Sequence, residues 1–210
     1  ASCDEIYIKV KSIGGHGAQP NLTADTVLVA SHIVVALQQI VSRNANPILP
    51  TVLTIGKIIG DGSTNVIPGE VYMEGTMRTF DEKWRAEAKT RIRKILEGVG
   101  ETMGAEIELE IADGYPYLQN DDALTKQSIE WAKEYLGEEN VEILPIRMTA
   151  EDFSYYTQIV PACFYRLGTG NVSKGITSSI HTPTFDIDEN ALKVGAGLMA
   201  YLAYQQLKGE

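Results

Sequence analysis

Glu106-Ile107-Glu108-Leu109-Glu110-Ile111 alternates charged and apolar residues without a break. A period of two is the signature of a strand, here with Ile107, Leu109 and Ile111 on one face and three glutamates on the other. Upstream of it, Trp84, Ala88, Ile92, Ile95, Val99 and Met103 recur at helical spacing from Asp81 to Met103, and Gly104 ends the run. Further back, Val66–Thr79 and Thr51–Ile59 read as strands joined by the turn signal Gly60-Asp61-Gly62. Thr23 to about Arg43 reads as a helix capped by Asn21 or Thr23, with an apolar stripe through Val27, Ala30, Val34, Leu37 and Val41. Glu5–Lys11 again has period two, with Ile6, Ile8 and Val10 on one face. The order is β-α-β-β-α-β.

Strands with one apolar face call for both helices on the same side of an antiparallel sheet. The opposite face then carries Glu5, Lys9, Tyr72, Glu74, Arg78, Glu106 and Glu108. The expectation is a ferredoxin-like two-layer sandwich over about residues 4–113, of mixed α/β (α+β) class. Residues 114–210 differ. Asp121–Leu136 reads as a helix, Val141–Pro145 and Ala162–Leu167 as short strands, and Thr149 as the N-cap of a helix with Asp152 completing a capping box. Asp188–Leu207 is a final helix, apolar almost all round, with Gly195 and Gly197 allowing a neighbour to approach closely. Such a helix is buried on most sides, and two short strands are too little to bury it. The expected division is therefore residues 1–113 as one domain and 114–210 as an incomplete α/β segment of a larger one.

Across its 210 residues the chain has a net charge of −10 and a pI near 4.8, which argue against nucleic-acid and anionic-membrane partners. Its longest apolar stretches, Val27–Ile40 and Ala191–Leu207, are broken by Ser31, His32, Lys193 and Gln205, so no membrane span is expected. The start, ASCDEIYIKV, has neither the basic nor the apolar region of a signal peptide. Cys3 and Cys163 stand far apart with no CxxC pairing, which fits two free thiols in a reducing cytosol and a cytoplasmic location.

Three histidines could carry chemistry. His32, inside the apolar helix, reads as a packed or interface residue. His16 lies in Gly14-Gly15-His16-Gly17-Ala18-Gln19-Pro20, where the glycines either shape a turn or present the imidazole from a mobile backbone. His181, in Ser178-Ser179-Ile180-His181-Thr182-Pro183, is either a metal ligand without a nearby HxxxH partner or a surface-loop residue. Asn65 opens the strand Asn65-Val66-Ile67-Pro68 and reads as a turn residue; Arg78, in Gly75-Thr76-Met77-Arg78-Thr79, reads as a charge on a wet sheet face. No GxSxG, phosphate loop or dinucleotide fingerprint occurs.

Taken together, GGHGAQP, NVIP, GTMRT, EDFSYY, LGTG and HTP stand in an order that resembles one family. It is the family of dimetal amidohydrolases and metallopeptidases that includes aminoacylases, hippurate hydrolase, carboxypeptidase G and succinyl-diaminopimelate desuccinylase, and the likeness is to its N-acyl-amino-acid branch. The resemblance implies that residues 4–113 are a dimerisation (lid) domain inserted in a catalytic domain, and 114–210 the return segment of that domain. It implies a homodimer through residues 4–113 acting on a small N-acyl amino acid, with two divalent ions (zinc, manganese or cobalt) in the intact enzyme. His181 would be the one metal ligand in this portion, and His16 would reach across the dimer to stabilise the oxyanion. Asn65 and Arg78 would hold substrate polar groups, Arg78 gripping the α-carboxylate, and the Gly168 loop would line the pocket. The family's HxCGHD-like segment and most of its ligands precede the insert and are not in this sequence, and Asn21 stands where many relatives have His.

Two readings follow. In the first the chain is a portion of an amidohydrolase, inactive and without stably bound metal by itself. In the second it is a non-catalytic oligomerisation module. Joint retention of His16, Asn65, Arg78 and His181 favours the first, because pairing alone needs none of them.

Overall fold

The computed structural model describes residues 1–208. In chain order the elements are β1 (Asp4–Lys11), β2 (Gly15–His16), α1 (Thr26–Gln39), β3 (Thr51–Gly60), β4 (Val66–Ile67), β5 (Glu70–Thr79), α2 (Glu82–Met103), β6 (Glu106–Asp113), α3 (Asp122–Leu136), α4 (Ser154–Thr157) and α5 (Asn190–Lys208). The chain divides into two compact units, residues 1–118 with 147–155, and residues 119–146 with 156–210. The sequence boundary at 113/114 falls within the first unit, which also takes back the 147–155 segment.

The first unit is the ferredoxin-like sandwich. Its four-stranded sheet has the order β3-β5-β1-β6 with every neighbouring pair antiparallel. Ile6, Ile8, Val10, Val71, Met73 and Met77 point to one face and are buried under Val29, Ile33 and Leu37 of α1 and Ala88, Ile92 and Leu96 of α2. Removal of that apolar surface from water is the main force holding the layers together. The other face is polar, with Lys11 on Glu108 at 2.5 Å and Lys57 on Glu74 at 2.7 Å. Among the described residues one ion pair is buried on both sides. The Asp4 carboxylate accepts two bonds from Arg85, at 2.6 and 2.8 Å, and is also contacted by Lys89.

Several local expectations are corrected. The helix cap is Asp25, whose carboxylate accepts from the N–H groups of Val27 and Leu28 at 3.0 Å; Asn21 instead lies in a 3-10 turn. The run expected as one strand, Val66–Thr79, breaks at Pro68-Gly69 because proline cannot donate to a ladder. Val66–Ile67 pairs with β2 rather than with the main sheet. A π-turn extends α1, and Thr26–Asn44 together is long and apolar enough to cross a membrane, contrary to expectation. Its inner face, however, packs on the sheet as a core helix does.

In the second unit α3 and α5 pack through a stacked Tyr135–Tyr201 pair with ring centroids 5.2 Å apart. The approach rests on glycine: a Cβ at Gly197 would lie 2.1 Å from the Tyr135 hydroxyl oxygen, and one at Gly195 would lie 2.7 Å from Leu167. Val141–Pro145 and Ala162–Leu167 are not strands. The backbone of Ala162 and Phe164 is bonded instead to Asp121 and to the Asn120 side chain. The expected cap at Thr149 is likewise absent, since the helical turn after it starts only at Ser154. Within α5 only Ala191 and Leu198 are buried, while Leu192, Met199, Tyr204 and Leu207 are exposed. The expected burial on most sides is not met within this chain.

Candidate functional site

Gly14 adopts φ +64, and a Cβ there would lie 2.9 Å from the Ile67 carbonyl. This left-handed residue turns the chain out of β1 so that Gly15-His16 can pair with Val66-Ile67. The resulting two-stranded platform is pinned at its base. Ser12 Oγ donates to the Ala24 carbonyl at 2.9 Å and accepts from Gly14 N–H at 3.1 Å, and buried Thr26 Oγ1 donates to the Pro68 carbonyl at 2.7 Å.

On that platform His16 is exposed, and its Nδ1 accepts the Ala18 N–H at 3.0 Å. In the neutral ring an accepting Nδ1 leaves the proton on Nε2, which makes Nε2–H an outward donor. Asn65 stands next to it: Gly17 N–H donates to the Asn65 carbonyl at 2.8 Å. The platform therefore joins the two segments through their backbones, His16 standing opposite Val66 and Asn65 opposite Gly17.

Arg78 is not part of this group. It lies near the far end of β5, whereas the platform adjoins the near end at Gly69-Glu70. Eight residue steps of strand lead from Glu70 to Arg78, about 26 Å at ~3.3 Å per residue. The half-buried Arg78 donates from Nη1 to the Met148 carbonyl at 3.1 Å, and among the described residues no carboxylate pairs with it. A guanidinium offers five N–H donors in a planar fork, so most of this one's capacity is left for an anion. Asn65 thus groups with His16, although in the sequence it opens the segment that leads to Arg78.

In the second unit His181 is exposed at the crest of a loop, with φ 63, the one non-glycine residue at positive φ among those described. The loop closes on itself through Thr182 Oγ1 to the Ser179 carbonyl at 2.7 Å and Ser178 to Thr184 at 2.9 Å. Gly168 faces open space, and the adjoining Thr169 carbonyl accepts the Asp188 N–H at 2.8 Å. Asp188 in turn caps α5 through Asn190 N–H at 3.2 Å, and Lys174 and Asn171 hold its carboxyl down at about 2. Among the described residues no three His, Cys, Asp or Glu side chains gather to hold a metal ion. Catalytic zinc takes three protein ligands, so the residues present do not make a metal centre by themselves.

The sequence singles out His16, Asn65, Arg78 and His181 but not what holds them. Ser12, Thr26 and the Met148 carbonyl act across the fold, and no local spacing marks them. The Ser63-Thr64-Asn65 turn is the one legible clue, a hydroxyl two residues before an amide.

The profile of peptidase family M20/M25/M40 matches residues 7–205. N-acetyl-L-cysteine deacetylase of Bacillus subtilis is 35% identical over 91% of this chain and 44% of its own length. N-acetyldiaminopimelate deacetylase of Brevibacillus brevis is 31% identical over 98% and 54%. Among solved structures, the Bacillus subtilis YxeP protein, described as a dinuclear metal-binding peptidase of the M20 family, superimposes with a TM-score of 0.74 at 30% identity, covering 99% of this chain and 51% of its own. The chain spans about half the length of the curated relatives it matches.

Proposed function

The chain belongs to peptidase family M20/M25/M40, and from that premise we propose that it is the substrate-gripping and dimer-forming part of an amidohydrolase that cleaves N-acyl amino acids. The observation that carries this reading is the pair of separate polar stations by the two ends of β5, the first on the adjoining β2–β4 platform. His16 with Asn65 stands at one end, and a guanidinium without a carboxylate partner among the described residues stands at the other. A small substrate cannot span about 26 Å of strand, so the two stations serve different active sites, as a dimer with exchanged lids would arrange. The uncovered apolar face of α1 (Val27, Leu28, Val35), with His32 exposed on it, and the edge residues Ile58 and Ile59 of β3 supply a surface for that dimer.

In this reading the Arg78 fork binds the α-carboxylate of the amino acid. His16 Nε2–H from the partner chain donates to the acyl oxygen as it gains charge, and Asn65 binds beside it. The Gly168 loop lines the pocket. His181 is the portion's metal ligand in the full-length protein. Its left-handed backbone supports a use for the imidazole, because a side chain there costs about 1–2 kcal/mol relative to glycine. Divalent metal, when bound in the full-length protein, would supply a water of lowered pKa; what this chain's own residues add is grip, orientation and a hydrogen bond to the acyl oxygen.

The test is kinetic, on the full-length gene product with an N-acyl amino acid. His16→Ala is expected to lower kcat by ~10²-fold or more at nearly constant KM, since the bond is made only as the transition state forms. Arg78→Ala is expected to raise KM as well, because a ground-state grip is lost. Wild-type rates in both variants would favour the non-catalytic oligomerisation module.

A further inference from the structure

Gly168 and Gly170 are exposed, and neither adopts a positive φ. A Cβ at Gly168 would meet nothing within 4 Å, and one at Gly170 would lie 3.4 Å from the Ile176 carbonyl, an ordinary contact. Neither backbone geometry nor packing within the chain therefore asks for glycine at these positions. What the two glycines leave is bare backbone that another molecule can approach closely. Among the described residues no acceptor takes the N–H groups of Gly168, Thr169 and Gly170, so the segment offers a row of donors. Such a row recognises a ligand only while it is held in place.

Asn171 supplies that hold. Its backbone exchanges two bonds with Ile176, each of 2.9 Å, in a hairpin turned by Gly175 at φ 73. Ser173 donates to Asn171 Oδ1 from both its N–H and its Oγ, at 3.1 and 2.7 Å. A primary amide has one acceptor end and one donor end, so this contact leaves the NH2 group for Asp188. Nδ2 donates to Asp188 Oδ2 at 2.5 Å. Asp188 is buried just before α5, takes Lys174 Nζ on Oδ1 at 2.7 Å, and donates its own N–H to the Thr169 carbonyl at 2.8 Å. The segment is thus tied to Asp188 on both sides of Gly170, by the Thr169 backbone and by the Asn171 side chain. Residues 177–187, which carry His181, leave and rejoin the same knot at Ile176 and Asp188. We propose that Asn171 is a positioning residue: its bond to Asp188 fixes the bare backbone of residues 168–170 at the start of α5, so that it meets the substrate in one arrangement. The inference rests on the Gly168 loop lining the pocket in the reading given above.

The experiment uses the full-length gene product and the best substrate from a panel of N-acetyl, N-benzoyl and N-indolylacetyl amino acids. Asn171→Ala should raise KM about tenfold, the low end for a hydrogen bond to a charged group. Its kcat should stay nearly constant, since a lining contact is made in the ground and transition states alike. Hydrogen exchange read by mass spectrometry should quicken over residues 168–176, with α3, α5 and the thermal midpoint unchanged. Asn171→Asp puts two carboxylates in contact. The charged groups facing them are Lys174, on Asp188 itself, and Asp186 and Glu189, which line the same cavity. At neutral pH this variant should have a higher KM than Asn171→Ala. Its KM relative to wild type should fall as pH is lowered, because one shared proton restores the bond. Unchanged KM in Asn171→Ala, a loss that tracks a lowered thermal midpoint, or an Asn171→Asp profile parallel to wild type would each overturn the inference while leaving the pocket reading intact. Gly168→Val, which sets a side chain on the exposed backbone, should also raise KM. Unchanged KM there, or no turnover of any panel member by the wild type, would instead overturn the functional reading, and the inference with it.

Discussion

The Asp4 carboxylate is fully buried, and burial alone would raise its pKa; Arg85 and Lys89 more than offset this and hold it below its ordinary 3.8. A folded-state pKa below the unfolded one contributes stability at pH values above about 3.8, and that stability is lost as pH falls through the folded value. Acid unfolding of the sandwich should thus begin below about pH 4, and Asp4→Asn should flatten that limb of the stability curve in circular dichroism. Asp4→Ala leaves the buried guanidinium with Glu82 as its remaining carboxylate partner, and a loss of up to about 3–5 kcal/mol by denaturant titration is expected. Asp4 and Arg85 are 81 positions apart. Nothing in the spacing of either links them, which is why the sequence exposes Arg85 as one more charge on a helix. His16 is legible for the opposite reason, since its glycines are contiguous with it. Its donor state is not, because that depends on the Ala18 N–H.

At the scale of elements, the strands with one wet face and the helices with one apolar stripe are readable, because each is decided by contacts repeating along its own length. Val141–Pro145 and Ala162–Leu167 escape such reading for the matching reason. A strand exists only with a ladder partner, and short apolar runs do not say whether one is present. Gly195 and Gly197 do admit a close neighbour, and the side chains they admit are Leu167 and Tyr135. Gly197→Ala should therefore act on packing rather than on helix propensity, which alone would favour alanine. The Tyr135 ring must move off Tyr201, and overpacking of this kind costs about 1–3 kcal/mol. A higher thermal midpoint in this variant would show that α3 and α5 do not depend on that approach. At the start of α5, Asp188→Asn removes an anion that Lys174 and Asn171 hold charged down to about pH 2. As pH falls from about 4 to about 2, the wild type should lose helix signal from α5 that the variant has already lost at neutral pH.

For the whole molecule, the two polar stations, the platform by the start of β5 and Arg78 near its end, make a claim about assembly. The chain by itself offers His181 as a lone candidate ligand, and among the described residues no metal cluster forms, so the isolated 210-residue polypeptide should neither turn over N-acetyl amino acids nor bind zinc tightly by calorimetry. In the full-length protein the proposed exchange of His16 between partners has a sharper consequence. His16→Ala leaves a chain whose own metal site is whole but whose platform is empty; His181→Ala leaves the reverse. Each homodimer should be inactive. In a mixed dimer, one site combines an intact metal site with the other chain's His16, and the second site lacks both. After equal mixing with free exchange, about half the dimers are mixed and half of their sites are complete, so about a quarter of wild-type activity should return. Native mass spectrometry reports the exchange independently of the activity. If mixed dimers form and turnover stays at the level of the parents, His16 serves its own chain, and the separation of the two stations then needs another explanation.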